Sequence, residues 1–183
     1  MRKRQAFHRL VTTALAIVAV LAVAACSDRQ PPTGSGPSAS SLQTVQASLG
    51  CQPSLRNRLE HAADGLLYTS ESDFPFEFFC APAQVADTLT AEAFRAIAGV
   101  AADAPFEEIS VDEFFARHIE RVDPNDAVAV ALVPRYQELK EAVFETLHEP
   151  RVYRVGTIAI RCYVVGTDKR GNVAGLTTTS IET

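Results

Sequence analysis

Apolar residues recur every three or four positions in four stretches of the chain, which is the spacing of one face of an α-helix. The inner faces of these predicted helices are, in order, Leu55, Leu59 and Ala62; Phe94 and Ile97; Phe114, Phe115 and Ile119; and Val128, Leu132, Tyr136, Leu139, Val143 and Leu147. Thr90 and Ser110 are placed to cap two of them. Pro134 lies inside the last, where it lacks the N–H that a helix interior uses, so we expect a kink or a split there.

After Pro150 the apolar period changes to two, which is typical of half-buried strands. Three β-rich runs follow, at 152–155, 158–165 and 173–181, and they predict an antiparallel meander. Earlier in the chain, 75–80 is expected to pair with 66–68 as a hairpin, and 106–109 has the pattern of a further strand. Strands at both ends with helices between them predict a mixed α+β domain, most simply helices layered on an antiparallel sheet.

Residues 1–25 have the pattern of an export signal. Four basic residues lie in the first nine positions, and an apolar run of sixteen residues follows. A helix that spans a membrane needs roughly 20, so a span is the weaker interpretation. The run ends in LAVAAC, which resembles a bacterial lipobox. We expect cleavage before Cys26 and acylation of its thiol, with an ordinary secretion signal as the alternative.

The stretch that follows is a predicted tether. Ser, Pro, Gly and Gln dominate it up to residue 50, with few large apolar side chains to offset the entropy of ordering. We therefore divide the chain into a signal peptide over 1–25, a lipidated cysteine and disordered linker over 26–50, and one folded domain over 51–183. The domain is expected on a bacterial envelope membrane, facing the periplasm or the exterior.

Composition and charge narrow the classes of partner. The chain is 47% apolar and 21% charged, which is ordinary for a globular protein. Its 17 basic and 22 acidic residues give a formal net charge of −5. Four of the basic residues belong to the predicted signal. Outside the signal, 13 basic residues remain against 22 acidic ones, so the net charge there is −9. Nucleic-acid binding depends on Lys and Arg side chains that neutralise the phosphates, and here acidic residues outnumber basic ones. We therefore expect no direct nucleic-acid binding and favour a basic protein partner.

Three cysteines fall in the predicted domain, in a compartment that permits disulfides. Cys162 alternates with Ile160 and Val164, so we expect it to face the core as a small hydrophobic residue. Cys51 and Cys80 are the favoured pair, although the sequence does not establish the connectivity. The lack of a CxxC pair argues against a zinc site.

Catalytic signatures are missing from the sequence. It contains no G-x-S-x-G, H-E-x-x-H, phosphate-binding glycine loop or dinucleotide motif, which lowers the expectation of an enzyme. We expect no enzymatic activity and no cofactor. His61, His118 and His148 each stand beside charged residues, so we expect all three on the solvated surface.

Two short segments combine acidic and hydroxyl side chains. The first is the loop Ser70-Glu71-Ser72-Asp73, which aromatic residues follow, and the second is the end of the chain at Glu182-Thr183. Carboxylate and hydroxyl oxygens are hard donors of the kind that bind Mg²⁺. The simpler interpretations are a tight turn and a frayed terminus.

At these two places the sequence resembles the nuclease A inhibitor family. The matching stretches are ADGLL at 63–67, SESDFPFE at 70–77, DAPF at 103–106, EFF at 113–115, and VYRVG, YVVG and GNVAGL within 152–176, followed by the terminal Glu182-Thr183. Together they span nearly all of 55–183 in order. The resemblance implies an α/β/α sandwich with a mostly antiparallel sheet, and an inhibitor of metal-dependent, sugar-non-specific DNA/RNA endonucleases.

The resemblance also implies a target-binding site. The family's glutamate and C-terminal threonine correspond to Glu71 and Thr183, and the threonine would approach the Mg²⁺ of the target. Ser70, Asp73 and Glu182 complete the expected target-binding set. An acidic wedge of this kind would imitate the phosphate groups that bind in the positively charged cleft of a nuclease. We expect a monomer with no metal of its own.

The region 116–134 departs from the family pattern. It is mostly apolar, with Arg117 and Arg121, where an acidic and aromatic stretch is expected. This difference motivates an alternative function, an envelope protein-interaction domain of the same fold with a non-nuclease partner.

Overall fold

The computed structural model describes residues 50–85 and 88–183; the predicted signal, Cys26 and the tether up to residue 49 lie outside them. This part of the chain contains four helices and seven strands. Their order is α1 (Pro53–Ala63), β1 (Leu67–Thr69), β2 (Asp73–Pro75), β3 (Glu77–Ala81), α2 (Ala91–Ala98), β4 (Phe106–Ile109), α3 (Val111–Ile119), α4 (Ala127–Thr146), β5 (His148–Val155), β6 (Ala159–Thr167) and β7 (Val173–Ile181). The mixed α+β class is confirmed.

Five of the strands form one antiparallel sheet in the order β3-β7-β6-β5-β4. Strands β5, β6 and β7 are the predicted meander, and β3 and β4 add the two edges. Strands β1 and β2 form a separate two-stranded hairpin. Strand β7 is an interior strand between β3 and β6. The last residues of the chain therefore follow the end of a strand that is paired on both sides.

Side chains alternate between the two faces of the sheet, and each face carries its own core. Val152, Cys162 and Leu176 pack with α1, α3 and α4 on one face. Tyr153 and Val165 pack with α2 on the other face, where the ring of Phe94 stacks on Tyr153 at 4.4 Å between centroids. The layers are therefore helix, sheet and helix, which confirms the α/β/α sandwich.

Local chemistry explains where the helices begin and end. The Thr90 hydroxyl accepts a hydrogen bond from the amide of Ala93 at the start of α2, and Ser110 serves α3 in the same way. Each bond satisfies one of the amides that a helix N-terminus leaves free. Helix α2 ends at Gly99, whose φ of 67° is the left-handed conformation that glycine adopts without a steric cost.

The predicted hairpin is present, but its second strand was placed wrongly. Strand β1 pairs with β2, with Leu67 opposite Pro75 and Thr69 opposite Asp73. The following aromatic run is a separate strand, β3, which pairs with β7 in the main sheet. Proline cannot donate to a strand ladder, so Pro75 is a natural end for the hairpin strand.

Helix α4 continues through Pro134 as one helix of 20 residues. Of the two expected outcomes, a kink or a split, the split does not occur. The missing N–H of Pro134 leaves the carbonyl of Val130 without its helical donor. Val130 is exposed to solvent, where water can serve that carbonyl.

The start of the domain is fixed at the opposite end of β7 from the chain terminus. A disulfide joins Cys51 to Cys80 of β3, and Cys80 lies opposite Ala174 near the beginning of β7. The side chain of Asn172 donates a hydrogen bond to the carbonyl of Gly50 at 3.4 Å. Cys162 is buried and forms no disulfide with another described cysteine. Among residues 50–85 and 88–183, none of the helices has the length and hydropathy of a membrane span.

Candidate functional site

The turn between β1 and β2 meets the end of β7 through backbone and side-chain hydrogen bonds. The amide of Ile181 donates to the hydroxyl oxygen of Ser70 at 2.9 Å, and the amide of Glu71 donates to the carbonyl of Ile181 at 3.3 Å. The turn closes on itself, because the Ser70 hydroxyl donates to the carbonyl of Ser72 at 2.8 Å. The predicted loop and the predicted terminus are therefore one structural unit, which we call the tip (Ser70–Ser72 with Glu182 and Thr183).

The hairpin that carries the turn is held on both sides. From the sheet, the hydroxyl of Thr178 in β7 donates to the carbonyl of Phe74 at 3.3 Å. From the helices, Tyr136 donates to the carbonyl of Leu67 at 2.6 Å, and the guanidinium of Arg117 donates to the carbonyl of Thr69 at 3.0 Å. These bonds fix the direction in which the turn projects.

Glu71 and Thr183 contact each other at the outer end of the tip. One carboxylate oxygen of Glu71, Oε1, accepts from the Thr183 hydroxyl at 2.7 Å and from the Thr183 amide at 3.1 Å. Both residues are exposed. The second carboxylate oxygen of Glu71 has no hydrogen-bond partner among the residues described by the structure. A carboxylate oxygen of Glu71 and the hydroxyl oxygen of Thr183 are thus presented together.

Glu182 lies beside them but is engaged within the domain. Its Oε1 accepts from the guanidinium of Arg154 at 2.5 Å and from the hydroxyl of Ser180 at 2.9 Å. Partial burial alone would raise the pKa of Glu182, but the hydrogen bonds from Ser180 and Arg154 and the positive charge of Arg154 outweigh burial and lower it. Glu182 is therefore ionised at neutral pH with its charge already paired.

Asp73 belongs to a different surface from the tip. It opens β2 and lines a groove of about 470 Å³ between the hairpin, α3 and the start of α4. We call this the α3–α4 groove; its lining includes Leu67, Thr69, Asp73, Arg117, His118, Arg121, Val128, Leu132 and Tyr136. Of the five residues predicted to bind a target, four are brought together at the tip, and Asp73 is not one of them.

His118 lies at the groove and is buried, so the prediction that it is solvated was wrong. Its exposure is 6%, and its ring stacks on Tyr136 at 4.5 Å between centroids. The buried Nε2 has no hydrogen-bond partner within residues 50–85 and 88–183. Burial and, to a smaller extent, the charge of Arg117 lower its pKa to about 4, which Asp73 partly opposes. The missed signal is helical spacing, since His118 follows Phe114 by four residues on the inner face of α3.

His61 and His148 are exposed, in agreement with the sequence interpretation. Among residues 50–85 and 88–183, no group of three or more His, Cys, Asp or Glu side chains could hold a metal ion.

The fold and the tip define a small α/β/α domain that presents carboxylate and hydroxyl oxygens at one end of its sheet. The family model for nuclease A inhibitor-like protein matches residues 53–183. The match covers well over half of the chain, so this protein belongs to the nuclease A inhibitor-like family. A search of curated proteins found no match.

Proposed function

We propose that this protein inhibits a divalent-metal-dependent, sugar-non-specific DNA/RNA endonuclease by inserting its tip into the active site of that enzyme. Membership of an inhibitor family supports the general function. The observation that carries the specific proposal is the contact between Glu71 and Thr183, which presents oxygen ligands on an ordered support. Glu71 and Thr183 contact the target, and Thr183 approaches its metal ion.

The chemistry of such a target fits the tip. An endonuclease that cuts both DNA and RNA binds phosphates in a positively charged cleft beside a divalent cation, and both attract carboxylate oxygens. The tip is held by hydrogen bonds before any target arrives, so binding costs little conformational entropy. The net charge of −9 outside the predicted signal favours electrostatic steering toward a basic cleft.

The proposal is tested by titrating the full-length protein, in detergent, into a ββα-metal endonuclease with a nucleic-acid substrate. We expect the wild-type protein to abolish cleavage near one equivalent. The Glu71→Ala variant should inhibit at least roughly 30-fold more weakly, which is the loss typical of an interface hot spot. Glu141→Ala is the matched control, because it removes an exposed carboxylate on α4, away from the tip. Equal inhibition by wild type, Glu71→Ala and Glu141→Ala would refute the site.

We further propose that the protein is a membrane-anchored lipoprotein, acylated at Cys26. The geometry of the domain suits such an anchor. Gly50 is bound beside the first residues of β7, whereas Thr183 follows its last residues, and the nine residues of β7 span about 30 Å. A tether that ends at Gly50 would therefore join the domain about 30 Å from the tip, at the opposite end of β7. Mass spectrometry of the mature N-terminus should find an acylated Cys26; an unmodified terminus at another residue would refute the anchor.

A second candidate function is a protein-interaction domain with a non-nuclease partner, and the α3–α4 groove favours it. Val128 is 73% exposed and Leu67 is 41% exposed, so two large apolar side chains lie uncovered at its rim. A photo-crosslinking residue placed at Val128 or at Glu71 separates the two candidates. Crosslinking of a nuclease from Glu71 supports inhibition; crosslinking of a non-nuclease protein from Val128, with no effect on any nuclease, supports the second candidate.

A further inference from the structure

The side chains of Arg154 and Glu182 connect the end of the chain to the far edge of the sheet. Arg154 lies on β5, and its guanidinium donates to Glu107 on the edge strand β4 and to Glu182 after β7. Only 17% of the Arg154 side chain is exposed. A charged group with so little contact with water is stable only when it is paired, and both of its partners are carboxylates.

Glu182 is held at three points. Its carboxylate accepts from Arg154 and from the fully buried Ser180. Its amide donates to the carbonyl of Ile158 at 3.0 Å, which extends the pairing of β6 and β7 by one residue. Thr183 therefore follows directly after a residue whose backbone and side chain are both fixed.

From this arrangement we infer that Glu182 and Arg154 are positioning residues, which hold Thr183 against Glu71, and that Glu182 does not itself contact the target. The inference rests on the proposed function and revises one part of the predicted site. The charge of Glu182 is already paired with the Arg154 guanidinium, which offsets the attraction of Glu182 for a basic target. Among the described residues no cation forms an ion pair with Glu71, so the charge of Glu71 remains available to a target.

The two roles of Glu182 are distinguished by a double-mutant cycle measured as inhibition of the nuclease by the full-length protein. Glu182→Gln keeps the shape of the side chain and removes its charge, and Arg154→Met removes the cation while keeping an apolar stem. Each single change should weaken inhibition roughly tenfold, the loss expected for one charge-assisted interaction. If Glu182 acts only through Arg154, the double variant should be no weaker than the weaker single variant.

A second measurement follows the position of Thr183 without any target. The amide of Thr183 donates to Glu71, so its ¹H–¹⁵N resonance reports that contact. In Glu182→Gln and in Arg154→Met we expect this resonance to move toward its random-coil position and its heteronuclear NOE to fall. A general loss of stability would instead affect resonances throughout the domain.

Glu77→Gln is the matched control. Glu77 forms an ion pair of the same kind with Arg161, at 3.2 Å between Nη2 and Oε2, but its partner does not contact the chain terminus. This variant should leave both the inhibition and the Thr183 resonance unchanged.

The outcomes separate this inference from the proposed function. A wild-type protein that inhibits no nuclease overturns the proposed function, while the Thr183 resonance still tests whether Glu182 and Arg154 position Thr183. If the wild type inhibits, then additive losses in the double variant, or an unmoved Thr183 resonance in Glu182→Gln, overturn the positioning role and show that Glu182 contacts the target directly.

Discussion

The β1–β2 hairpin separates two surfaces that differ in how their polar groups are satisfied. At the tip, backbone groups of the turn pair with β7, and the side chains of Ser70 and Glu182 are hydrogen-bonded within the domain. At the α3–α4 groove, the buried Nε2 of His118 has no hydrogen-bond partner in the part of the chain that the structure describes, and most of the surface of Val128 is exposed to water.

This difference distinguishes a surface prepared for binding from one that is incompletely packed. A tip whose support is already hydrogen-bonded can offer the oxygens of Glu71 and Thr183 without rearrangement. The groove carries the cost of a buried polar atom and uncovered apolar area. We therefore propose that the tip, and not the groove, recognises the target, and we expect the groove to affect mainly the stability of the domain.

Charge reversal should show the largest contrast between the two surfaces. Glu71→Lys places a cation where the proposed target has a metal ion and a basic cleft, so inhibition should weaken roughly 1000-fold, about 4 kcal/mol. Val128→Lys introduces a charge at the groove, where the exposed side chain can remain in water, and should change inhibition less than about threefold. Nuclease titration at constant salt measures both, and similar losses in the two variants would contradict the assignment.

His118 should make the stability of the domain depend on pH. Its folded pKa is lowered to about 4 from the ordinary 6.5, so between these values the unfolded state binds the proton more readily. The contribution of His118 to the free energy of unfolding is fully present above about pH 6.5. It is lost as the pH falls toward 4, by up to about 3 kcal/mol. His118→Phe, which cannot titrate, should lose correspondingly less stability over this range in urea unfolding.

Carboxylates also titrate in this range, so the comparison needs a matched histidine variant. His61→Gln removes an exposed histidine from α1 and should follow the wild-type profile. Parallel pH profiles for the wild type and His118→Phe would show that burial of His118 does not control this dependence. Inhibition at pH 7.5 should be the same for all three proteins.

A smaller effect is expected where the groove supports the hairpin. Tyr136→Phe removes the hydroxyl that donates to the carbonyl of Leu67, so the free energy of unfolding should fall by about 1 kcal/mol. Tyr163→Phe is a suitable control, because the Tyr163 hydroxyl has no hydrogen-bond partner among residues 50–85 and 88–183. Urea unfolding measures the stability of both variants. If Tyr136→Phe is as stable as Tyr163→Phe, the hydrogen bond from Tyr136 to Leu67 does not stabilise the hairpin.

Local sequence patterns were sufficient for much of the fold. The apolar period placed α1 at the observed residues, Thr90 and Ser110 cap α2 and α3 as predicted, and the period of two located the meander. These features depend on neighbours within a few residues. The separation of β2 from β3 was missed, because it depends on which of two partners each segment finds in the folded chain.

The candidate site shows the same limit. Residue types indicated the 70–73 loop and the end of the chain as sources of oxygen atoms, and the family resemblance implied Glu71 and Thr183. No spacing reveals that residues 112 positions apart share a hydrogen bond. Glu182 was predicted to contact a target, and its ion pair with Arg154 depends on the order of strands in the sheet. The prediction for His118 was wrong because burial is set by its position on the inner face of α3, four residues after Phe114, and not by its charged neighbour Arg117.

The central claim is that Glu71 and Thr183 act together on the active site of a metal-dependent endonuclease. It is tested most directly by measuring the inhibition constants of the full-length wild type, Glu71→Ala, a chain that lacks Thr183, and the combination of both changes. We predict a large loss for each single change and little further loss for the combination, because the two residues share one contact. Undiminished inhibition by the combined variant would contradict the claim.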